Sequence, residues 1–160
     1  MTVSVFMKPD GIEGEATDEK HDKEIRLSSC SFAASNSSAY NNASKTVSKG
    51  QAQMADIQFS KEADKTSVEL FKACASGKVI PKVKISFQTN VGDDKKIDFL
   101  VYELENVVVN SYNFSASSEA DEHGSLTYAK IKQIYDQRDE KGNSKGKVEG
   151  FFDVLLNKAG

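Results

Sequence analysis

Two histidines, His21 and His123, are the side chains of this 160-residue chain best suited to exchange a proton near neutral pH. Each reads as part of a loop rich in carboxylates, with Asp18, Asp22 and Glu24 around the first and Asp121 and Glu122 beside the second. A general base needs a nucleophile or a polarised substrate group within reach, and neither stretch carries a nucleophile motif. Asp18, His21, Asp22 and Glu24 could together ligate a divalent cation, but they mix hard and softer donors at no recognised spacing. A solvated acidic loop explains them more simply. Asp93 with Asp94, and Asp121 with Glu122, are turn residues before they are an acid and a base. The chain has no G-x-S-x-G, P-loop, G-x-G-x-x-G or H-E-x-x-H pattern. These residues predict no catalytic, cofactor-binding or metal-binding site, and no cofactor.

The two cysteines, Cys30 and Cys74, lack CxxC spacing and read as small buried hydrophobes suited to a reducing compartment. Net charge is −3, and lysines are interspersed with carboxylates without forming a basic stripe, so nucleic acid is not an expected partner. The start, MTVSVFMKPDG, has no basic segment followed by a signal-length apolar run, and no later stretch approaches the ~20 apolar residues of a membrane span. The expectation is synthesis in the cytoplasm without membrane insertion, any export using a route blind to N-terminal signals. Mean hydropathy is low, at −0.51, which fits either ordinary surface loops or a wall wetted on both sides.

The elements follow from periodicity. Residues 56–88 run strand, short helix, strand. Thr66 and Glu69 form a capping box and Gly77 supplies a left-handed stop, predicting a helix over about 66–76. At 100° per residue Val68, Leu70, Phe71, Cys74 and Ala75 are expected on the face that packs on a sheet. Residues 3–8 and 23–32 read as strands, and Pro81 is expected to open another in which Val83, Ile85 and Phe87 face the core. Lys82, Lys84, Ser86 and Gln88 are then the wet face. The run from Ile97 to Leu104 is apolar on both faces and needs two covers, the barrel interior and either the helix or a neighbouring subunit. A bulge is expected within 125–135, a charged hairpin loop over 138–150, and a last strand in FFDVLLNK. About eight strands spaced this way predict a mainly β fold, a two-sheet barrel or sandwich with one flanking helix.

Between residues 33 and 48 the chain becomes AASNSSAYNNASKTVS, small and polar with one aromatic. So long an extended loop inside a compact fold is a place to look for an interaction, with Asn36, Ser38, Tyr40, Asn41, Asn42 and Ser44 as its candidate contacts.

With these features placed, the sequence resembles the haemolysin-coregulated protein (Hcp) family, the tube protein of bacterial type VI secretion. The resemblance is carried by FMKPDGIEGEATDEKHDKEI, KGQAQMADIQFSKEADK, LFKACASGK, FLVYELENVVVNSY, LTYAKIKQIY and the terminal Asn157 and Lys158. It spans nearly the whole chain, residues 1–160, as one domain. Two departures stand out: Val68 where the family usually has proline, and Gly150, Phe151, Phe152 and Asp153 where it has Gly-Trp-Asp.

What the resemblance implies is a homohexameric ring, rings stacked into a tube, and a surrounding contractile sheath that expels the tube, tipped by a spike protein. Small effector proteins would ride in the channel. The protein would be assembled in the cytoplasm and secreted without a signal peptide. The long loop would reach the next ring through Tyr40. Alternatives are a specialised secreted ring protein acting as effector chaperone or binding module, a phage-like tail-tube protein, and a monomeric ligand-binding barrel. Against the last, Phe59, Phe87, Phe99 and Tyr128 are expected to fill the interior.

Overall fold

A computed structural model describes residues 2–91 and 95–160. The turn expected at Gly92, Asp93 and Asp94 lies outside the described residues. The chain begins with β1 (Val3–Pro9), β2 (Ile25–Leu27), β3 (Ser29–Ser31), β4 (Ala34–Asn36) and β5 (Ala39–Asn41). It continues through β6 (Thr46–Ser48), β7 (Ala52–Met54), β8 (Ile57–Glu62) and the helix α1 (Thr66–Ser76). The long strands β9 (Val79–Val91), β10 (Lys95–Ala116) and β11 (Ala120–Arg138) follow, then β12 (Ser144–Asp153) and β13 (Lys158–Ala159).

All pairings are antiparallel, in the order β13-β12-β11-β10-β9-β1-β2. The outer edge of β11 is shared: Asp121–Leu126 pair with β8, and Lys130–Arg138 pair with β12. Because β8 also pairs with β3, and Ser28 N–H donates to the Ser60 carbonyl at 2.7 Å, the path returns to β2 and the barrel closes. β12 and β13 extend beyond that closure.

Alternation fills the interior. Val5 and Met7, Val83 and Ile85, Leu104 and Val107, Leu126 and Ile131, with Ile57 and Phe59, point inward and are buried. Asn106 takes a left-handed backbone (φ 50°), so Leu104 and Val107, three apart, both face the core. Opposite it stands Pro81, which has no ladder N–H to lose there. The strand therefore starts two residues before Pro81. The ambiguous parity of 125–135 has the same origin, since this stretch of β11 faces Asn106 on β10. Phe59 and Tyr128 fill the interior as expected, while Phe87 and Phe99 are half-buried.

Three further boundaries differ from the sequence expectation. The stretch 23–32 is two short strands broken at Ser28, where the chain changes partner from β1 to β8. β12 starts at Ser144, inside the expected hairpin loop, because an edge strand wetted on both faces reads as a charged loop. The apolar Val154, Leu155 and Leu156 form an exposed turn, held by the Leu156 N–H on the Asp153 carboxylate at 2.9 Å.

Candidate assembly surfaces

The helix shows how local sequence positions a surface. Its bounds match the expectation, and Gly77 ends it in the left-handed region (φ 65°), with the Lys78 N–H reaching the Ala73 carbonyl. The cap is shifted upstream. Thr66 is buried and helical; Asp64 accepts from the Thr66 N–H at 2.8 Å and from its hydroxyl, while Ser67 Oγ accepts from the Asp64 N–H at 3.0 Å. The packing face is also corrected. Leu70 and Ala73 are buried with Thr66, and Cys74 is half-buried, whereas Val68, Phe71 and Ala75 are exposed. Asp64 and Thr66 anchor the first turn so that residues four and seven beyond Thr66 meet the barrel. Val68, Phe71 and Ala75 then lie on the opposite side.

A network the sequence reading missed lies beneath that first turn. The Lys61 side chain is fully buried, with Nζ 2.6 Å from Glu122 Oε2, 3.0 Å from Asp64 Oδ1 and 3.0 Å from the Glu62 carbonyl. Tyr112 donates its hydroxyl to Glu122 Oε1 at 2.6 Å. Burial, then the neighbouring Glu122 carboxylate, push the Tyr112 hydroxyl up to about 12. Burial also opposes the charge on Asp64, but the Thr66 donors and Lys61 overcome it and hold that carboxyl below the usual aspartate value. A signal was present: Ile57, Phe59 and Lys61 are two apart, so a strand that buries the first two must also bury the third.

The proposed wet face divides in two. Lys82 and Lys84 are exposed, and their rows run across the sheet as Lys84, Glu103, Lys132 and as Lys82, Glu105, Lys130, Asp153, alternating in sign. Lys132 also reaches Glu149 at 3.2 Å, and Lys130 sits 4.7 Å over the Phe151 ring. Ser86 and Gln88, by contrast, are buried, because the segment from Asp10 to Glu24 folds back over that half of the face. His21 fastens it. Its ring stacks on Phe6 at 4.5 Å, with Nδ1 2.7 Å from Glu24 and Nε2 2.8 Å from Asp98. This segment, not the helix or a neighbour, is the second cover over Ile97.

Of the four residues that could have held a cation, His21, Glu24 and Asp18 are engaged elsewhere and Asp22 is exposed. Asp18 pairs with Lys96 at 3.1 Å; burial works against its charge, yet Lys96, the Lys20 N–H and Gln88 leave the carboxyl below its ordinary value. Among the described residues no group of three His, Cys, Asp or Glu side chains is arranged to hold a metal. His123 is exposed on β11, a strand and not a loop, and burial pushes the Cys30 thiol up to about 11.

The expected loop is an arm made of two short ladders. β4 pairs with β7 at its root, and β5 pairs with β6 toward its tip, setting Tyr40 opposite Val47. Sequence missed the ladders because a two-stranded ribbon exposed on both faces leaves no apolar alternation. Asn36 Oδ1 accepts from Ser38, whose hydroxyl accepts from the Gly50 N–H at 3.0 Å. Asn41 Oδ1 accepts from the Ala43 and Ser44 N–H groups, shaping the tip around Asn42, and Ser44 Oγ meets Thr46 Oγ1 at 2.7 Å. All six candidate residues are exposed, and Tyr40 retains 82% of its accessible surface.

These features define a closed β-barrel with a flanking helix and an arm, in which His21, Glu24 and Asp18 hold segments together. The comparisons agree with that class. The family described as type VI secretion system effector, Hcp, matches residues 6–135. The Hcp1 protein of Pseudomonas aeruginosa is 28% identical over 149 residues, covering 91% of each chain. A solved type six secretion system protein superposes with a TM-score of 0.91 at 26% identity, over 99% of this chain and 100% of its own. Hcp1 of Salmonella typhimurium gives 0.80 at 27% identity, over 99% of both. The chain belongs to the Hcp family of type VI secretion proteins.

Proposed function

We propose that this chain is a non-enzymatic subunit of the type VI inner tube, a single domain that closes into hexameric rings and stacks them. The observation that carries the reading is the arm: a ribbon of ordered hydrogen bonds ending in an exposed Tyr40 and Val47 pair, with no core of its own. Tyrosine offers large contact area at low entropic cost, which suits a contact made across a ring boundary. The sign-alternating face of Lys82, Glu105, Lys84 and Glu103 lines the channel, where hydration keeps it from adhering to small effector proteins in transit. Sheath and spike would engage the assembled tube, and the protein would leave the cell through the apparatus itself.

The test is to replace residues 39–48 with a short Gly-Ser turn and compare particles by native mass and electron microscopy. Rings that persist while tubes disappear are expected. Unchanged stacking would remove the arm from the proposal, and a wild-type chain that stays a monomer at high concentration would remove the tube.

A further inference from the structure

The segment from Asp10 to Glu24 is a strap closed largely on itself. Its Gly14 N–H donates to the Lys23 carbonyl at 2.7 Å, its Ala16 N–H to the Glu24 carbonyl at 3.0 Å and its Lys23 N–H to the Ala16 carbonyl at 2.9 Å. The N–H groups of His21 and Glu24 also bond within it. Of its backbone N–H groups that bond outside the strands, only that of Asp10, at the root, reaches β9, on the Lys82 carbonyl at 3.0 Å. Past that point side chains hold the strap down. Asp18 reaches Lys96 and Gln88, Lys20 reaches the Lys96 carbonyl, and His21 reaches Asp98, while Ile12 is buried beside them. Lys20 and Lys96 are exposed, so water competes for their contacts. His21 is 3% exposed and makes the one polar tie that is sealed from it.

The neighbours of His21 fix how many protons it must carry. Nδ1 stands 2.7 Å from Glu24 Oε2, and Nε2 stands 2.8 Å from Asp98 Oδ1. An ionised carboxylate only accepts, and a neutral imidazole donates from one nitrogen and accepts at the other, so these two contacts require a proton on each ring nitrogen. The ring bridges the strap to β10 as an imidazolium. With one proton gone, a nitrogen lone pair would face a carboxylate oxygen. The other charges around the site are Asp18 and Lys20 on the strap, Lys96 on β10, Lys84 on β9 and Arg26 on β2, which lies 6.0 Å over the Phe6 ring that His21 stacks on. Among the described residues none of these is a partner of either ring nitrogen. Beneath the strap Ser86 Oγ is buried without a hydrogen-bond partner among the described residues, so the closed position carries a penalty that the ties must outweigh.

We propose that His21 is a protonation latch: as an imidazolium it pins the strap across β9 and β10, and on losing a proton it lets the strap lift and bare Ser86, Gln88 and Ile97. The direction follows from counting protons. Above the range in which a free histidine titrates, the closed strap holds a proton that the lifted strap has given up, so rising pH favours lifting. Below that range both forms hold it, and pH exerts no leverage through this residue. The latch belongs to the subunit and is independent of the tube reading.

The test is hydrogen–deuterium exchange of the full chain read by mass spectrometry from about pH 6 to about pH 9, with labelling times scaled to the intrinsic exchange rate at each pH. Protection of residues 12–24 is expected to fall about tenfold or more across that range while β9 keeps its own. In Asp98→Asn the side-chain amide can donate to a deprotonated Nε2, so the strap should stay protected throughout, which mere loss of a contact would not give. Should Asp98→Asn lose its thermal melt, His21→Gln replaces it, and its strap protection must then be the same at both ends of the range. Wild-type protection that does not change with pH overturns the latch, as does Asp98→Asn following the wild type. Loss of protection shared equally by the strap and β9 overturns it too, since the whole barrel would then be opening.

Discussion

The foot of the helix and the arm are held together by opposite means. Beneath α1, a fully buried lysine is paired with two carboxylates, one of which also takes the hydroxyl of a tyrosine. In the arm every residue from 33 to 49 is exposed, and order comes from two three-residue ladders and short asparagine and serine hydrogen bonds. A buried network of charges fixes one geometry because any alternative strands a charge without solvent. A ribbon without burial keeps its shape only as far as its hydrogen bonds compete with water. The contrast teaches which part of the chain defines the fold and which part adds shape without a core.

Four tests break or sharpen that contrast. Glu122→Ala removes one of the two carboxylates paired with the buried Lys61 ammonium and should cost about 3 to 5 kcal/mol in urea unfolding, whereas Lys61→Met with Glu122→Leu should recover most of it. Leu70→Ala should cost about 2 to 5 kcal/mol by opening a cavity, while Phe71→Ala on the opposite stripe should stay within about 1 kcal/mol for the unassembled subunit. Asp64→Ala removes the cap of α1 and should cost about 1 kcal/mol. Deleting the arm tip should move subunit stability by no more than about 0.5 kcal/mol, the smallest effect of the set, measurable as an unchanged urea midpoint.

Asp64 also sets a pH dependence. Its folded-state carboxyl titrates below the ordinary value, so the stabilisation it carries is complete above the unfolded value near ~3.9 and is lost as pH falls through the lower folded value. Urea midpoints measured from pH 6 downward should therefore decline less steeply below about pH 4 in Asp64→Asn than in the wild type. An identical acid slope in the two proteins would show that the carboxylate is not held by Thr66 and Lys61.

Much of this was legible in the residues, and the failures share a cause. Gly77 and the spacing before it place the helix to the residue, because a left-handed stop is a local property. Its packing face was not local. Thr66 and Ala73 count little on a hydrophobicity scale yet lie against the barrel, while Val68 and Phe71 count heavily and lie outside. Apolar patterning gives the helical period without saying which side of the helix meets the sheet. Ser86 and Gln88 fail in the other direction, being polar in a wet register but covered by a segment that returns from more than sixty positions away and is pinned by His21. The arm was recognised by its composition, but its ladders leave no trace in alternation when both faces are wet.

The sign-alternating rows of β9, β10 and β11 have an electrostatic consequence. Lys82 and Lys84 stand beside Glu105 and Glu103, and these beside Lys130 and Lys132, so each positive charge has an opposite one a strand away. Each row across these three strands carries two lysines to one glutamate, and Lys8 stands beside Lys84, so the face keeps a positive excess whose reach ends within about a Debye length, roughly 8 Å in physiological salt. Steering by this surface is therefore short-ranged, and an acidic group brought against it finds more partners than a basic one.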